Sequence, residues 1–285
     1  MSTCLLTLYI FVISVMLYYR KSIWQECFYD FIFALAFCDM ICLPGNFYYK
    51  ALLGISGRYF LISPHYFLGD ICDVLNMFIA AFATYMSLYL HMCIAFDRLT
   101  ASVLYNRPRF HLTKAGTKGL ITFGASVLGI YLTWVHVYNQ PRNDVRSLRR
   151  LYDPLDPVSR FVEKFEEIYA GVAAAVLLFV YLFVYSYFRC FFPLNCGPNT
   201  PLASLQRKML FQGTLLSTVV LILDASWFNF PDWHAVNFTF WMIFVGGNPI
   251  IYLVVDKRVR EKCWLVIKNC VKPLSKTEII TLADL

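Results

Sequence analysis

The sequence predicts an all-α membrane protein: a seven-transmembrane helix bundle with a short amphipathic cytoplasmic helix after the seventh span. Three observations carry this. The 285 residues are 59% hydrophobic and only 15% charged, with 26 Phe and 19 Tyr. A soluble domain is about half apolar and about a quarter charged. Seven runs are apolar over roughly the 20 residues that a helix needs to cross the hydrocarbon. Lys and Arg also divide unevenly between the connectors, 17 on one side and 8 on the other.

The first run covers about 3–19. It lacks the charged leading segment and small-residue cleavage site of a secretory signal, so it reads as a true span. The second, 27–49, carries Asp39 among apolar residues. The third, 71–96, runs directly into Asp97 and Arg98. The fourth and fifth, 119–137 and 167–188, flank the longest connector, 138–166, whose charges of both signs support no functional reading. The sixth, 209–228, contains Asp224 and Trp227, and the seventh, 235–255, contains Asn248 and Pro249. No repeat or low-complexity tract divides the chain, so residues 1–285 read as one domain.

Orientation follows from the basic residues, which favour cytoplasmic connectors. Placing the N-terminus outside and the C-terminus in the cytoplasm puts 17 of the 25 Lys and Arg inside. The net charge of +7 then reads as a preference for the anionic inner leaflet. Its spread over four loops argues against a nucleic-acid partner.

Some residues are out of keeping with their surroundings. A carboxylate at mid-membrane costs about 2.5–3.5 kcal/mol on insertion scales, so Asp39 needs a function or an interhelical hydrogen bond. Pro249 sits inside "GGNPIIYLVV", where a proline removes a backbone donor and kinks the helix. It marks either a hinge at Asn248 and Tyr252 or a kink tolerated for packing. After Val255 come six charges in seven positions. Val259, Cys263, Val266 and Cys270 recur there at helical spacing, which predicts an amphipathic helix over 256–270 lying on the inner leaflet. Cys263 and Cys270 are then either lipidation sites or buried thiols. His91 reads as a hydrogen-bonded packing residue. The five His are scattered, and no metal-ligand spacing or catalytic cluster points to an enzyme.

Three motifs fall in matching spans: "LAFCD" in the second, "CIAFDRLTA" at the end of the third and "NPIIY" in the seventh. Together they resemble the rhodopsin-like seven-transmembrane G-protein-coupled receptors over residues 27 to about 270. The resemblance implies that Asp97, Arg98, Asn248, Pro249 and Tyr252 couple the bundle to a heterotrimeric G protein. It implies that Asp39 and Asn248 help hold a sodium ion. Asn76, Asp224, Trp227, Phe240 and Trp241 would converge on an outer small-molecule pocket, although aromatic residues there also suit an interfacial belt.

The match has departures. Cys72 stands where the family has the helix-three cysteine, but residues 138–166 contain no Cys to pair with it. The first span lacks the family's Asn and the fifth its Pro. Leu99 follows Asp97 and Arg98, and the sixth span carries "WFNFP". With "FDRLTASVLY" these resemble the nematode serpentine chemoreceptors, the Srg-type superfamily with its Srv or Sru branches. That resemblance implies a small environmental ligand and a plasma-membrane location in a sensory neuron cilium. Residues 235–255 contain no Lys for a retinal Schiff base, and "FIAAFA" at 78–83 has no acid for an amine ligand. The alternatives are a seven-helix ligand-gated channel, whose inverted form would put the C-terminus outside, and a transporter, which would show repeats and several midplane charges.

Overall fold

The structure, a computed structural model, describes residues 2–20, 28–44, 66–103, 112–138, 142–144, 149–151, 155–190, 218, 222 and 234–271. Helices α1 (Ser2–Tyr18) and α2 (Phe28–Pro44) are hydrophobic around their whole circumference, as helices surrounded by lipid and protein must be. The next helix, α3 (Tyr66–Val103), has 38 residues and outruns the expected span of 71–96 at both ends. At 1.5 Å per residue it is about 57 Å long, well beyond a hydrocarbon core of about 30 Å. Asp70 bounds that span without ending the helix, because a helix leaving the bilayer can carry charge.

Thr113 starts α4 (Lys114–Tyr138) by accepting the Gly116 amide on its hydroxyl at 3.1 Å. The connector beyond holds a short antiparallel ladder, β1 (Arg142–Asp144) with β2 (Arg149–Leu151), in which Asn143 lies opposite Arg150. This ladder packs beside α3 and is structure that charge patterning did not predict. Helix α5 (Pro157–Cys190) begins ten residues before the expected 167–188. Its start is set by Asp156, whose carboxylate accepts the amides of Ser159 at 2.9 Å and Val158 at 3.3 Å, with Pro157 following in the first turn.

The seventh span is two helices, α6 (His234–Gly246) and α7 (Asn248–Val255), joined at Gly247. The last described helix is α8 (Lys257–Val271). Its N-cap is Asp256, which accepts the amide of Arg258 at 2.9 Å. Asp256 thus separates the membrane segment from the amphipathic one.

Among the described elements α3 is central, packing against α2, α4 and α5. Helix α2 also packs on α1 and α6, and α8 turns back onto α1. Residues Lys114–Val135 and Pro157–Tyr187 are each long and apolar enough to cross a bilayer. Only 17% and 33% of their most apolar windows are buried inside the bundle. A soluble core helix would hide that surface, so these helices present it to lipid.

The N-terminal end of α5 is sensitive to pH. Hydrogen bonds from the Ser159 and Val158 amides hold Asp156 below its ordinary value of 3.8. A depressed carboxylate stabilises the fold above its unfolded value and loses that contribution as pH falls through the folded value. The first turn of α5 is therefore expected to fray below about pH 3.8. Hydrogen exchange at Val158 and Ser159 should accelerate there, and Asp156→Asn should remove the pH dependence.

Candidate functional site

The bundle closes around one carboxylate. Asp39 is fully buried in α2 and accepts hydrogen bonds from three other helices. The Tyr9 hydroxyl of α1 donates to Oδ2. The Asn248 amide nitrogen of α7 donates to the same oxygen at 2.7 Å. The Ser87 hydroxyl of α3 donates to Oδ1 at 3.1 Å. Hydrogen bonds to a charged group contribute about 1.5–3 kcal/mol each, which is how a carboxylate costing a few kcal/mol in the membrane is held. His91 extends the cluster one turn along α3. It is buried, its Nδ1 lies 2.7 Å from the Ser87 carbonyl, and its ring sits 5.3 Å from that of Phe244.

Sequence reasoning placed Asp39 and Asn248 together, and the structure joins them directly. It missed Tyr9 and Ser87. Ser87 had a signal, since it lies one turn before His91 on the same helix. Tyr9 had none, being one of 19 tyrosines in a uniformly apolar helix.

The sodium ion expected at Asp39 and Asn248 would meet a carboxylate that already accepts three hydrogen bonds. A hard cation needs several oxygen lone pairs. Here Oδ2 takes two donors and Oδ1 one, and Asn248 presents nitrogen to the carboxylate. One turn toward the N-terminal ends of α3 and α6 lie Ala83, Phe244 and Val245, all buried and apolar. No group of three His, Cys, Asp or Glu suited to a metal occurs among the described residues.

The hinge residues stand directly below this cluster. Pro249 has no amide, so one rung of the ladder is lost. Gly247 stays right-handed with φ −78° and ψ −23° and keeps its helical bonds with Ile243 and Ile251, so the break is a missing rung and not a change in chain direction. A Cβ on Gly247 would run into the Ile243 carbonyl, and one on Gly246 into the Leu5 side chain of α1. At Gly247 the obstructing atom is backbone and cannot turn aside, whereas at Gly246 it is the end of the Leu5 side chain. Tyr252, one turn beyond the break, is buried within electrostatic reach of Asp39 and of Tyr181 on α5. Arg98 and Asp97 form an ion pair of 3.2 Å, with side chains only 16% and 13% exposed. Tyr181 also lies within electrostatic reach of that pair.

A second carboxylate, passed over as part of a charge run, anchors the elbow between α7 and α8. Asp256 accepts the Tyr29 hydroxyl of α2 at 2.7 Å while capping α8. The Arg258 guanidinium lies 5.7 Å from the centre of the Tyr29 ring. Arg260 donates to the Val254 carbonyl at 2.7 Å and to that of Leu253 at 3.2 Å, satisfying the open end of α7.

The amphipathic helix is present but turned differently from expectation. Val259 and Cys263 are buried in the main core rather than laid on lipid. Trp264, Leu265 and Ile267 form the exposed apolar side. Spacing showed which residues share a face, not which way it looks. Burial also raises the Cys263 thiol above its ordinary value. A buried thiol that resists ionisation is a poor acceptor for an acyl chain, which favours the buried-thiol reading at Cys263. Cys270 lies in α8 with its side chain outside the described residues.

On the opposite side of the bundle, Phe240 is half-buried in α6. Asn76 and Trp241 lie in α3 and α6, their side chains outside the described residues, and Asp224 and Trp227 are outside them altogether.

Two substitutions test this geometry by thermal unfolding in detergent. Gly247→Ala is expected to cost about 1–3 kcal/mol, because the obstructing atom is backbone. Tyr29→Phe is expected to cost about 1 kcal/mol by removing a single hydrogen bond at the elbow.

Comparison with known proteins agrees with this architecture. No curated protein matches the chain. Squid rhodopsin, a crystal structure, superposes with a TM-score of 0.67 at 14% identity, over 98% of this chain and 90% of that one. At that identity the likeness establishes the fold. A family model, "Serpentine type 7TM GPCR chemoreceptor Srt", matches residues 1–276. The branch is therefore Srt rather than the expected Srv or Sru. With nearly its whole length matched, the chain belongs to the Srt family of serpentine seven-transmembrane G-protein-coupled chemoreceptors.

Proposed function

We propose that this chemoreceptor binds a small environmental molecule on its extracellular side and passes the event to a heterotrimeric G protein through the break in the seventh span. The observation that carries this reading is the Asp39–Asn248 hydrogen bond. It ties the start of α7 to α2, beside the rung that Pro249 removes from the seventh span. A ligand that favours a different packing of α6 and α7 shifts the population between two arrangements of this junction. Tyr252 moves with α7 and changes its position relative to Tyr181 and the Asp97–Arg98 pair.

In this reading the N-terminus is outside and the C-terminus cytoplasmic, supported by the 17-to-8 division of Lys and Arg. The Asp97–Arg98 pair, α8 and its basic residues then face the cytoplasm. Asn76, Asp224, Trp227, Phe240 and Trp241 belong to the extracellular half, where the ligand binds. The receptor resides in the plasma membrane, in the cilium of a sensory neuron. The family match gives the channel and transporter alternatives no support.

The test is Arg98→Ala. The variant is expected to reach the membrane and to bind ligand while losing G-protein turnover, because the charge that meets the partner is gone. Normal turnover from a well-expressed Arg98→Ala protein would remove Arg98 from the coupling role. A tag at Leu285 should be stained only after permeabilisation, and staining of intact cells would reverse the orientation.

A further inference from the structure

We propose that His91 of α3 braces the seventh span: it bears on both sides of the rung that Pro249 removes and sets how readily that junction yields.

The weak point fixes what a brace must touch. In an unbroken helix the amide at position 249 would donate to the Val245 carbonyl, four residues earlier. Pro249 has no amide, so α6 and α7 are joined there by one hydrogen bond fewer. Phe244 and Asn248 flank this place. They are one helical turn apart and so share a face of the span. A side chain from another helix that meets this face holds both halves at once.

His91 is so placed. Its ring lies 5.3 Å from that of Phe244 on α6. The same ring is within electrostatic reach of Asn248 on α7. It is itself anchored, because Nδ1 lies 2.7 Å from the Ser87 carbonyl. A carbonyl can only accept, so Nδ1 carries the hydrogen and donates it. The hydroxyl of the same Ser87 donates to Asp39, and so does the Asn248 amide. His91, Ser87, Asp39, Asn248 and Phe244 therefore close a circuit whose last side is the segment 244–248 itself. All five are buried. A residue that only filled space would need no directional bond. His91 combines a fixed hydrogen bond on one edge with a ring set against Phe244. The two halves of the span separate only when His91 leaves Phe244 or Asn248 leaves Asp39. His91 is thus a positioning residue, acting through Phe244 and the Asp39–Asn248 contact.

Only the part this brace plays in signalling rests on the receptor reading; the brace itself is tested without ligand or G protein. Amide hydrogen exchange is followed in the full chain in detergent. The amides of Gly247 and Ile251, whose helical bonds flank the missing rung, are compared with those of α4. His91→Asn keeps a donor for the Ser87 carbonyl and removes the ring. It is expected to speed exchange at Gly247 and Ile251 by about fivefold or more, the effect of losing one buried contact on a local opening, and to leave α4 unchanged. Phe244→Leu is expected to do the same, and adding His91→Asn to it should bring little further change. Unchanged exchange at Gly247 and Ile251, or an equal rise throughout α4, would overturn the proposal. So would full additivity of the two substitutions. If His91→Asn does not fold, Phe244→Leu alone decides by the same two readings. Normal turnover from Arg98→Ala would remove the coupling role and leave this exchange result standing.

Discussion

A single buried carboxylate imposes the arrangement of four helices. Lipid offers Asp39 no water, so its hydrogen-bonding demand must be met from inside the bundle. Three donors on α1, α3 and α7 meet it, and each arrives from a different direction. Apolar packing alone tolerates sliding, since one Leu contact in lipid resembles another. A shared carboxylate does not: its donors fix the relative height of α1, α2, α3 and α7 to within a hydrogen-bond length. The close approach of α1 and α6 through Gly246 and Leu5 is compatible with that one register.

The seventh span is built to yield at the point where this hub grips it. Pro249 removes an amide and Gly247 leaves no side chain to resist rearrangement. Below the break, the elbow repeats the device of the hub. Tyr29 of α2 donates to Asp256 as Tyr9 of α1 donates to Asp39. Helix α7 is thus short, eight residues, and held at both ends by carboxylates that answer to α2. A short segment pinned at its ends can rotate as a unit more readily than it can bend.

How much of this the sequence disclosed follows from how unusual each residue is in its setting. Spans are legible because lipid demands long apolar runs, although windows of hydropathy stop at charges that helices pass through, as at Asp70 in α3 and Glu163 in α5. Asp39, Asn248 and Pro249 are legible because each violates an apolar context. Tyr9 is not, since a tyrosine in an aromatic-rich membrane protein violates nothing. Asp256 is hidden for the opposite reason, as one charge among six. The stripe through Val259 and Cys263 shows the limit of periodicity. It identified a face correctly and assigned it to lipid, while the return of α8 onto α1, a tertiary fact, turns it into the core.

The polar contacts also divide the bundle unequally. Helices α1, α2, α7 and α8 are joined by Tyr9, Asn248 and Tyr29, and Lys262 of α8 lies 4.8 Å from the centre of the Tyr19 ring just beyond α1. The seam between the C-terminal halves of α3 and α5 is different. Ala95, Leu177, Val180, Tyr181 and Val184 form a small core of their own, separate from the main one. Non-directional contacts of this kind can be exchanged for others at little cost, whereas buried hydrogen bonds cannot. Motion is therefore cheaper along this C-terminal part of the α3–α5 seam than within the α1–α2–α7–α8 frame, while toward the other end the Tyr169 hydroxyl donates to the Tyr85 carbonyl at 3.1 Å. Arg98 stands at the edge of that seam, and Tyr252, carried by the frame, looks across to Tyr181 on its far side. The residues that must change partners lie where the hydrogen-bonded hub of the bundle meets this apolar seam.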